Sequence, residues 1–518
     1  MIAIHEKSSP VGTPATGRVA VGDDASVPAD PAPGPAADPG GGRFDRVLRA
    51  GRRRVDGRSL AALRIAVGAV AVLAAVRTWA YGWVDTLYAG PTHHFSYYGF
   101  GWVPRPGALG MRLLLAAVAL AGTALVAGWR TRWAAGALAA SFAWVELIDA
   151  TTYLNHYWFV TLVAVLCAVA PSGARWSLDA RRLGPRDVAA GWVWLLRFQV
   201  GVVYSFAGLA KLQHDWLVEA LPLKLWLPAR AHLPLVGDWL RRPVAAHVLS
   251  VAGAVYDCTI VALLLWRRSR PLAWLAVVAF HVSTWVLFPI GVFPWLMICA
   301  STVFFDPDWP GRVLGRLRAR RPWRPASGAG RADRAEHGVG RTERRLATAG
   351  HGSGPAPDAP GRLAALRRRA VLAFAVVWVL AQVAIPLRRF AYPGDHRWSG
   401  QGYRFGWNVL LVERTGSITF LVTDPATGDR WAAEVDELYT LAQLRVMSGE
   451  PDLIRQAAHA VADAEAEAGR PGVEVRVDAW MSFNGRPARR WIDPTVDLAA
   501  EPASLAPAHW ILPADHEG

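Results

Sequence analysis

Apolar runs follow one another along most of this chain, near 60–80, 109–128, 133–150, 157–171, 192–211, 245–266, 271–288, 291–305 and 366–386. A helix needs about 20 apolar residues to cross a bilayer. The runs therefore predict an α-helical membrane bundle of eight or nine spans, nine being the preferred count. The pair 271–288 and 291–305, divided by Phe288-Pro289-Ile290-Gly291, reads as two tight spans or as one span and a re-entrant piece. Composition agrees: charged residues make up 19% of the chain, below the roughly 25% of soluble domains, which excludes an ordinary cytosolic enzyme. The net charge of +15 suits either nucleic acid or an anionic membrane surface. Because the arginine clusters sit between apolar runs, the pattern is that of a membrane protein, with no nucleic-acid partner expected. Cys167, Cys258 and Cys299 all fall inside apolar stretches, so the sequence offers no disulfide framework and no CxxC metal site.

The flanking segments differ in kind. Residues 1–42 are rich in Pro, Gly, Ala and Asp and, with the basic stretch Arg43–Arg58, read as a disordered N-terminal tail over 1–58 and not as a signal peptide. The bundle proper is expected over 59–305. Arg130, Arg132, Arg175, Arg181, Arg182, Arg186, Arg267, Arg268 and Arg270 mark alternate connections, which the positive-inside rule makes cytoplasmic. The Arg/Gly/Pro-rich segment 306–365 then reads as a cytoplasmic linker before a final helix at 366–386. With nine spans, the mixed region 392–518 lies outside the cytoplasm, in a multi-pass protein of the cell membrane. Its apolar alternation at 407–414 and 417–423 predicts a hairpin about Arg414-Thr415-Gly416. Helices are expected at 436–447 and 450–468 and a strand at 473–483, making a small α+β domain.

Chemistry is concentrated in the span 192–211. Arg197, Gly201, Tyr204, Gly208, Lys211 and Asp215 recur at spacings of three and four, so they share one helical face. Charge facing lipid is costly, so this stripe points into the bundle. Only three of the 56 basic residues are lysines, Lys7, Lys211 and Lys224, which leaves 53 arginines. A lysine kept inside an apolar run in such a chain needs a reason. The plainer account is a packing stripe whose lysine reaches the outer surface. Glu146, Asp149, Tyr153, Asn155, His156 and Tyr157 form a second cluster at the outer end of spans three and four. These carboxylates are either ion-pair partners of Lys211 or buried arginines, or, with Asn155 and His156, part of a polar ligand site. Asp257 and His281 are the other ionisable residues inside spans. Asn155, His156, Tyr204, Lys211 and His281 are expected to line one cavity opening toward the outer half of the membrane.

These residues also carry a resemblance. LRFQVGVVYSFAGLAKLQHDWL (196–217) resembles the AG–x–x–KL–x–x–DW signature of the vitamin K-dependent γ-carboxylase family, here in a form of the HTTM-domain type. AFHVSTWVLFPIGVFPWLMICAS (279–301) resembles the family's His-containing span and its IG–x–FP motif. Gly402-Tyr403-Arg404-Phe405-Gly406-Trp407 and DAWMSFNGRPARRWIDPTVDL (478–498) resemble its outer domain. The resemblance implies that Lys211, Asn155 and His156 are catalytic, with Lys211 the base and the Asn-His pair contacting the quinone. Tyr204, His281, Asp257 and Asp149 are the expected substrate-binding residues. It implies reduced vitamin K or menaquinol as cofactor, O₂ and CO₂ as co-substrates, and a glutamate-containing protein or peptide as substrate, with no metal. The implied reaction couples quinol epoxidation to glutamate carboxylation. The alternatives are a quinol epoxidase that does not carboxylate and a non-enzymatic transporter or quinone-binding protein.

Overall fold

The computed structural model describes residues 42–319 and 359–514. Residues 1–41 of the tail expected over 1–58, and residues 320–358 of the expected linker, lie outside the described residues. The chain divides into a short first unit, residues 1–48, and a second, residues 49–518, which holds the bundle and the C-terminal region. Residues Arg43–Arg52, assigned from sequence to the tail, are helical.

All nine apolar runs form helices: α1 (Arg58–Ala80), α2 (Ala108–Ala127), α3 (Thr131–Ile148), α4 (Asn155–Val169), α5 (Ala190–Lys211), α6 (Pro243–Leu265), α7 (Arg270–Leu287), α8 (Phe293–Ser301) and α9 (Ala359–Leu387). Six stretches of the described residues are long and apolar enough to cross a membrane: α1, α2, α5, α6, α7 and Gly361–Ala391. The shorter apolar helices include α4. The expected count of eight or nine spans therefore exceeds the six that meet this test.

Close packing in the bundle depends on small residues. A Cβ added to Gly68 of α1 would lie 2.7 Å from the carbonyl oxygen of Gly122 in α2, so the two backbones touch where both side chains are missing. A low-dielectric interior favours partners for buried polar groups, and two examples tie the helices together. Arg64 of α1 is fully buried and donates to the carbonyls of Leu125, Val126 and Trp176, the first two in the last turn of α2. Helix α9 is keyed to α5 by Gln382, which accepts from Gln199 at 3.1 Å, while Trp378 Nε1 donates to Gln199 at 2.9 Å.

The C-terminal region is a four-stranded antiparallel sheet in the order β2-β1-β3-β4, formed by β1 (Arg414–Thr423), β2 (Arg430–Ala432), β3 (Glu474–Phe483) and β4 (Arg489–Arg490). On β3 the alternate residues Val475, Val477, Ala479 and Met481 are buried against helix Pro451–Glu467, as the sequence alternation predicts. Helix Leu441–Met447 starts at a capping box in which Thr440 and Gln443 satisfy each other's backbone N–H groups. The hairpin expected at 407–423 does not form. Strand β1 pairs instead with β2 (Leu421↔Ala432) and with β3 (Arg414↔Phe483). Residues 407–411 run against the bundle, where Trp407 and Leu411 are almost fully buried. These apolar residues pack against helices and not in a strand pairing. Loop residues Phe95 and Tyr97 and Ala150 at the end of α3 enter the core of the sheet domain, so the domain is seated on the bundle through shared apolar side chains.

Candidate functional site

The α5 stripe faces other helices along most of its length. Arg197 donates to the carbonyls of Val303, Phe304 and Phe305 at the end of α8 and its following turn. Gly208 lets α6 approach so closely that an added Cβ would lie 2.9 Å from the Cys258 nitrogen. One turn on, Lys211 Nζ reaches Asp257 Oδ2 of α6 at 2.8 Å, with both side chains buried. The same ammonium donates to Ala207 O at 3.3 Å and lies 5.2 Å from the centre of the Trp216 ring. Its ion-pair partner is thus Asp257, and the pairing with Glu146 or Asp149 weighed from sequence does not occur. Glu146 accepts from Thr161 Oγ1 at 2.8 Å instead.

This pair lies in the wall of a cavity of about 360 Å³, within the usual ~300–1,000 Å³ range of small-molecule sites. Its surface is chiefly apolar, with Trp216, Leu223, Phe280, Leu287 and Phe288 among the walls. Tyr204 and His281 join the same wall, with Tyr204 Oη 2.8 Å from His281 Nε2. Tyr256 was not anticipated. Its hydroxyl donates to that of Tyr204 at 3.5 Å and its ring stacks on Phe280 at 3.9 Å. A single aromatic beside Asp257 in an apolar run carries no sequence pattern that would have marked it.

Asn155 and His156 line a second cavity, of about 460 Å³. The single cavity expected from helix parity is therefore two, sharing walls formed by Ile290, Phe293, Val409 and Leu410. Phe293 packs 5.7 Å from the His156 ring and 6.1 Å from that of His281. His156 is buried with Nε2 unpartnered. The Asn155 amide is engaged: Nδ2 donates to Asn408 O at 3.1 Å and Oδ1 accepts from Tyr153 at 3.0 Å.

Val409 and Leu410, from the segment 402–411, line both cavities, a role invisible in the sequence. Phe405, Trp407 and Leu410 adopt positive φ, an uncommon geometry for bulky residues that the surroundings must hold in place. Asn408 supplies the hold: it accepts from Arg389 at 3.0 Å and donates to Tyr403 O at 2.7 Å.

Two carboxylates fasten the sheet domain to the bundle. Asp149 lines neither cavity. It is fully buried and accepts from Thr151 and from Gln443 Nε2 at 2.8 Å, with His94 Nδ1 at 3.0 Å. Asp215 leaves the α5 face because the helix ends at Lys211. Its carboxylate accepts from Arg486 at 2.6 and 2.9 Å and from Asn484 at 2.9 Å. Burial opposes its ionisation, but the bonds from Arg486 and Asn484 outweigh that and hold it below the usual carboxylate range.

Fold and site together define a helical membrane protein with a buried amine–carboxylate pair in an apolar cavity, capped by a sheet-containing domain. Residues 52–309 match the family model of the HTTM domain, and residues 367–517 match that of the vitamin K-dependent gamma-carboxylase, lumenal domain. The chain belongs to the vitamin K-dependent γ-carboxylase family. No solved structure matches it.

Proposed function

We propose that this chain is a membrane carboxylase that takes reduced vitamin K, or menaquinol, in the apolar cavity beside Lys211 and couples its epoxidation to carboxylation of a glutamyl residue. The observation that carries this reading is the Lys211–Asp257 pair, 2.8 Å apart in the wall of that cavity. The cavity suits a hydrophobic ring bearing hydroxyls, since its walls are chiefly aromatic and aliphatic with a few polar groups, Lys211, Asp257, Tyr204 and His281, among them. Bound reduced vitamin K supplies, with O₂, the driving force to remove a γ-proton from glutamate, and CO₂ completes the product.

The residues present account for the first proton. Lys211 and Asp257 form one hydrogen-bonded pair. Counted together, an ammonium with a carboxylate holds the same protons as an amine with a carboxylic acid. Whichever form rests in the cavity, accepting one proton from a bound hydroxyl leaves an ammonium beside the oxygen that lost it. From the amine–acid form Lys211 Nζ takes the proton, and from the ion-paired form Asp257 takes it; in both, the Lys211 ammonium stabilises the oxyanion. Tyr204 and His281 supply a hydroxyl–imidazole pair in the same wall that orients a second polar atom. Asn155 acts as a positioning residue for the 402–411 segment, and His156 serves the adjoining cavity. The bundle lies in the cell membrane with 306–365 on the cytoplasmic side and 392–518 outside.

The test is turnover by the purified chain in detergent with reduced vitamin K, labelled CO₂ and a blocked glutamyl peptide. Epoxide formation together with fixed label is the expected result. Epoxide without fixation would leave an epoxidase, and neither product would leave a quinone-binding or transport protein.

A further inference from the structure

The two cavities differ in charge. In the first, Asp257 neutralises Lys211. The second is lined by one formally charged residue, Arg77, and by no Asp or Glu. Among the described residues, no carboxylate pairs with Arg77. Its Nη2 donates to the Tyr157 hydroxyl at 3.1 Å, its Nε is buried without a partner, and its guanidinium lies 4.9 Å from the Trp83 ring centre. In the same wall stands His156, 7% exposed and with Nε2 unpartnered. Two side chains in the wall of one cavity thus carry buried nitrogens without partners, where the penalty for leaving them bare is substantial.

We infer that the second cavity binds a carboxylate, with Arg77 as its anchor and His156 Nε2 as a second hydrogen-bonding group. An arginine fork suits a planar anion with two acceptor oxygens. The occupant is the side-chain carboxylate of a glutamyl peptide, an assignment of substrate that rests on the function proposed above. Access agrees with this. Gln443 and Val446, on the short helix of the sheet domain, form part of the wall, so the cavity lies where that domain meets the bundle. Only the apolar partition that includes Phe293 and Leu410 separates the bound carboxylate from the quinol cavity.

The experiment measures equilibrium binding of a labelled, end-blocked Gly-Glu-Gly tripeptide to the full chain in detergent, with Gly-Gln-Gly as the neutral control. The wild type should prefer the glutamyl peptide by about 10- to 100-fold, the scale of a charge-assisted hydrogen-bond pair. Arg77→Gln should reduce that preference to roughly threefold or less, and Arg77→Lys, which keeps the charge without the fork, should retain part of it. Saturating menadione should leave tripeptide binding unchanged, because the quinone has its own cavity. The inference is overturned by an absent glutamyl preference in the wild type, by full preference in a monodisperse Arg77→Gln protein, or by displacement of the tripeptide with menadione. The two proposals fail separately. Arg77-dependent binding in a protein that forms no epoxide removes the function and keeps the anion site, and epoxide formation with Arg77-independent binding does the reverse.

Discussion

Replacing Lys211 by arginine separates charge from proton transfer. The guanidinium keeps a full positive charge, and the open cavity beside Lys211 leaves room for it to reach the Asp257 carboxylate now 2.8 Å from Nζ. Quinol binding and charge balance should therefore survive. Proton acceptance at this side chain should not, because arginine stays protonated at any accessible pH. Lys211 is 5% exposed and Asp257 4% exposed, so bulk water cannot readily substitute as the acceptor. Loss of a positioned general base lowers turnover on the order of 10²–10⁴-fold, or about 3–5 kcal/mol of barrier. The assay is epoxide formation against reduced vitamin K concentration, with kcat and KM fitted separately and melting followed in parallel. The expected result is a collapse in kcat at little-changed KM. If Lys211→Arg kept more than about a tenth of wild-type turnover, well outside that scale, Lys211 would be an electrostatic anchor. The Asp257 carboxylate would then be the acceptor, and Asp257→Asn the inactive variant.

Gly208→Ala should lower Tm by several degrees in detergent. The new methyl would lie 2.9 Å from Cys258 N and 3.0 Å from Asp257 C, an overpacking worth roughly 1–3 kcal/mol. Asp215→Asn should loosen the sheet domain by about 1 kcal/mol, a modest value because the Arg486 side chain is 44% exposed and screened. Since the folded pKa of Asp215 is depressed, the stability it contributes is complete above the ordinary carboxylate value, about 4, and is lost as pH falls through the lower folded value. Limited proteolysis of wild type and Asp215→Asn should differ by a constant amount above about pH 5 and converge in more acid solution. For topology, a cysteine placed at exposed Leu505 should react with an impermeant reagent on intact cells, and one at exposed Arg316 should not. Labelling at the Arg316 position would reverse the orientation.

Much of the bundle is legible in the chain itself. A stretch that must satisfy its own backbone polar groups in lipid can do so only as a helix, so apolar runs bounded by arginines map directly onto α1–α9. The α5 stripe was legible for a related reason. Spacings of three and four put Tyr204, Gly208 and Lys211 on one face whatever packs against it. Which residue answers Lys211 is another matter. Asp257, Glu146 and Asp149 are each an acid in or beside an apolar run, and only the approach of α6 over Gly208 selects Asp257. The division of the site into two cavities is likewise tertiary, because Phe293, Val409 and Leu410 come from segments more than a hundred residues apart. Residues 407–411 read as a strand in sequence, but Trp407 and Leu411 are buried in the bundle, and Trp407 and Leu410 sit at positive φ. Periodicity records that alternate residues are covered. It does not record what covers them, and here packing against helices took the place of a neighbouring strand.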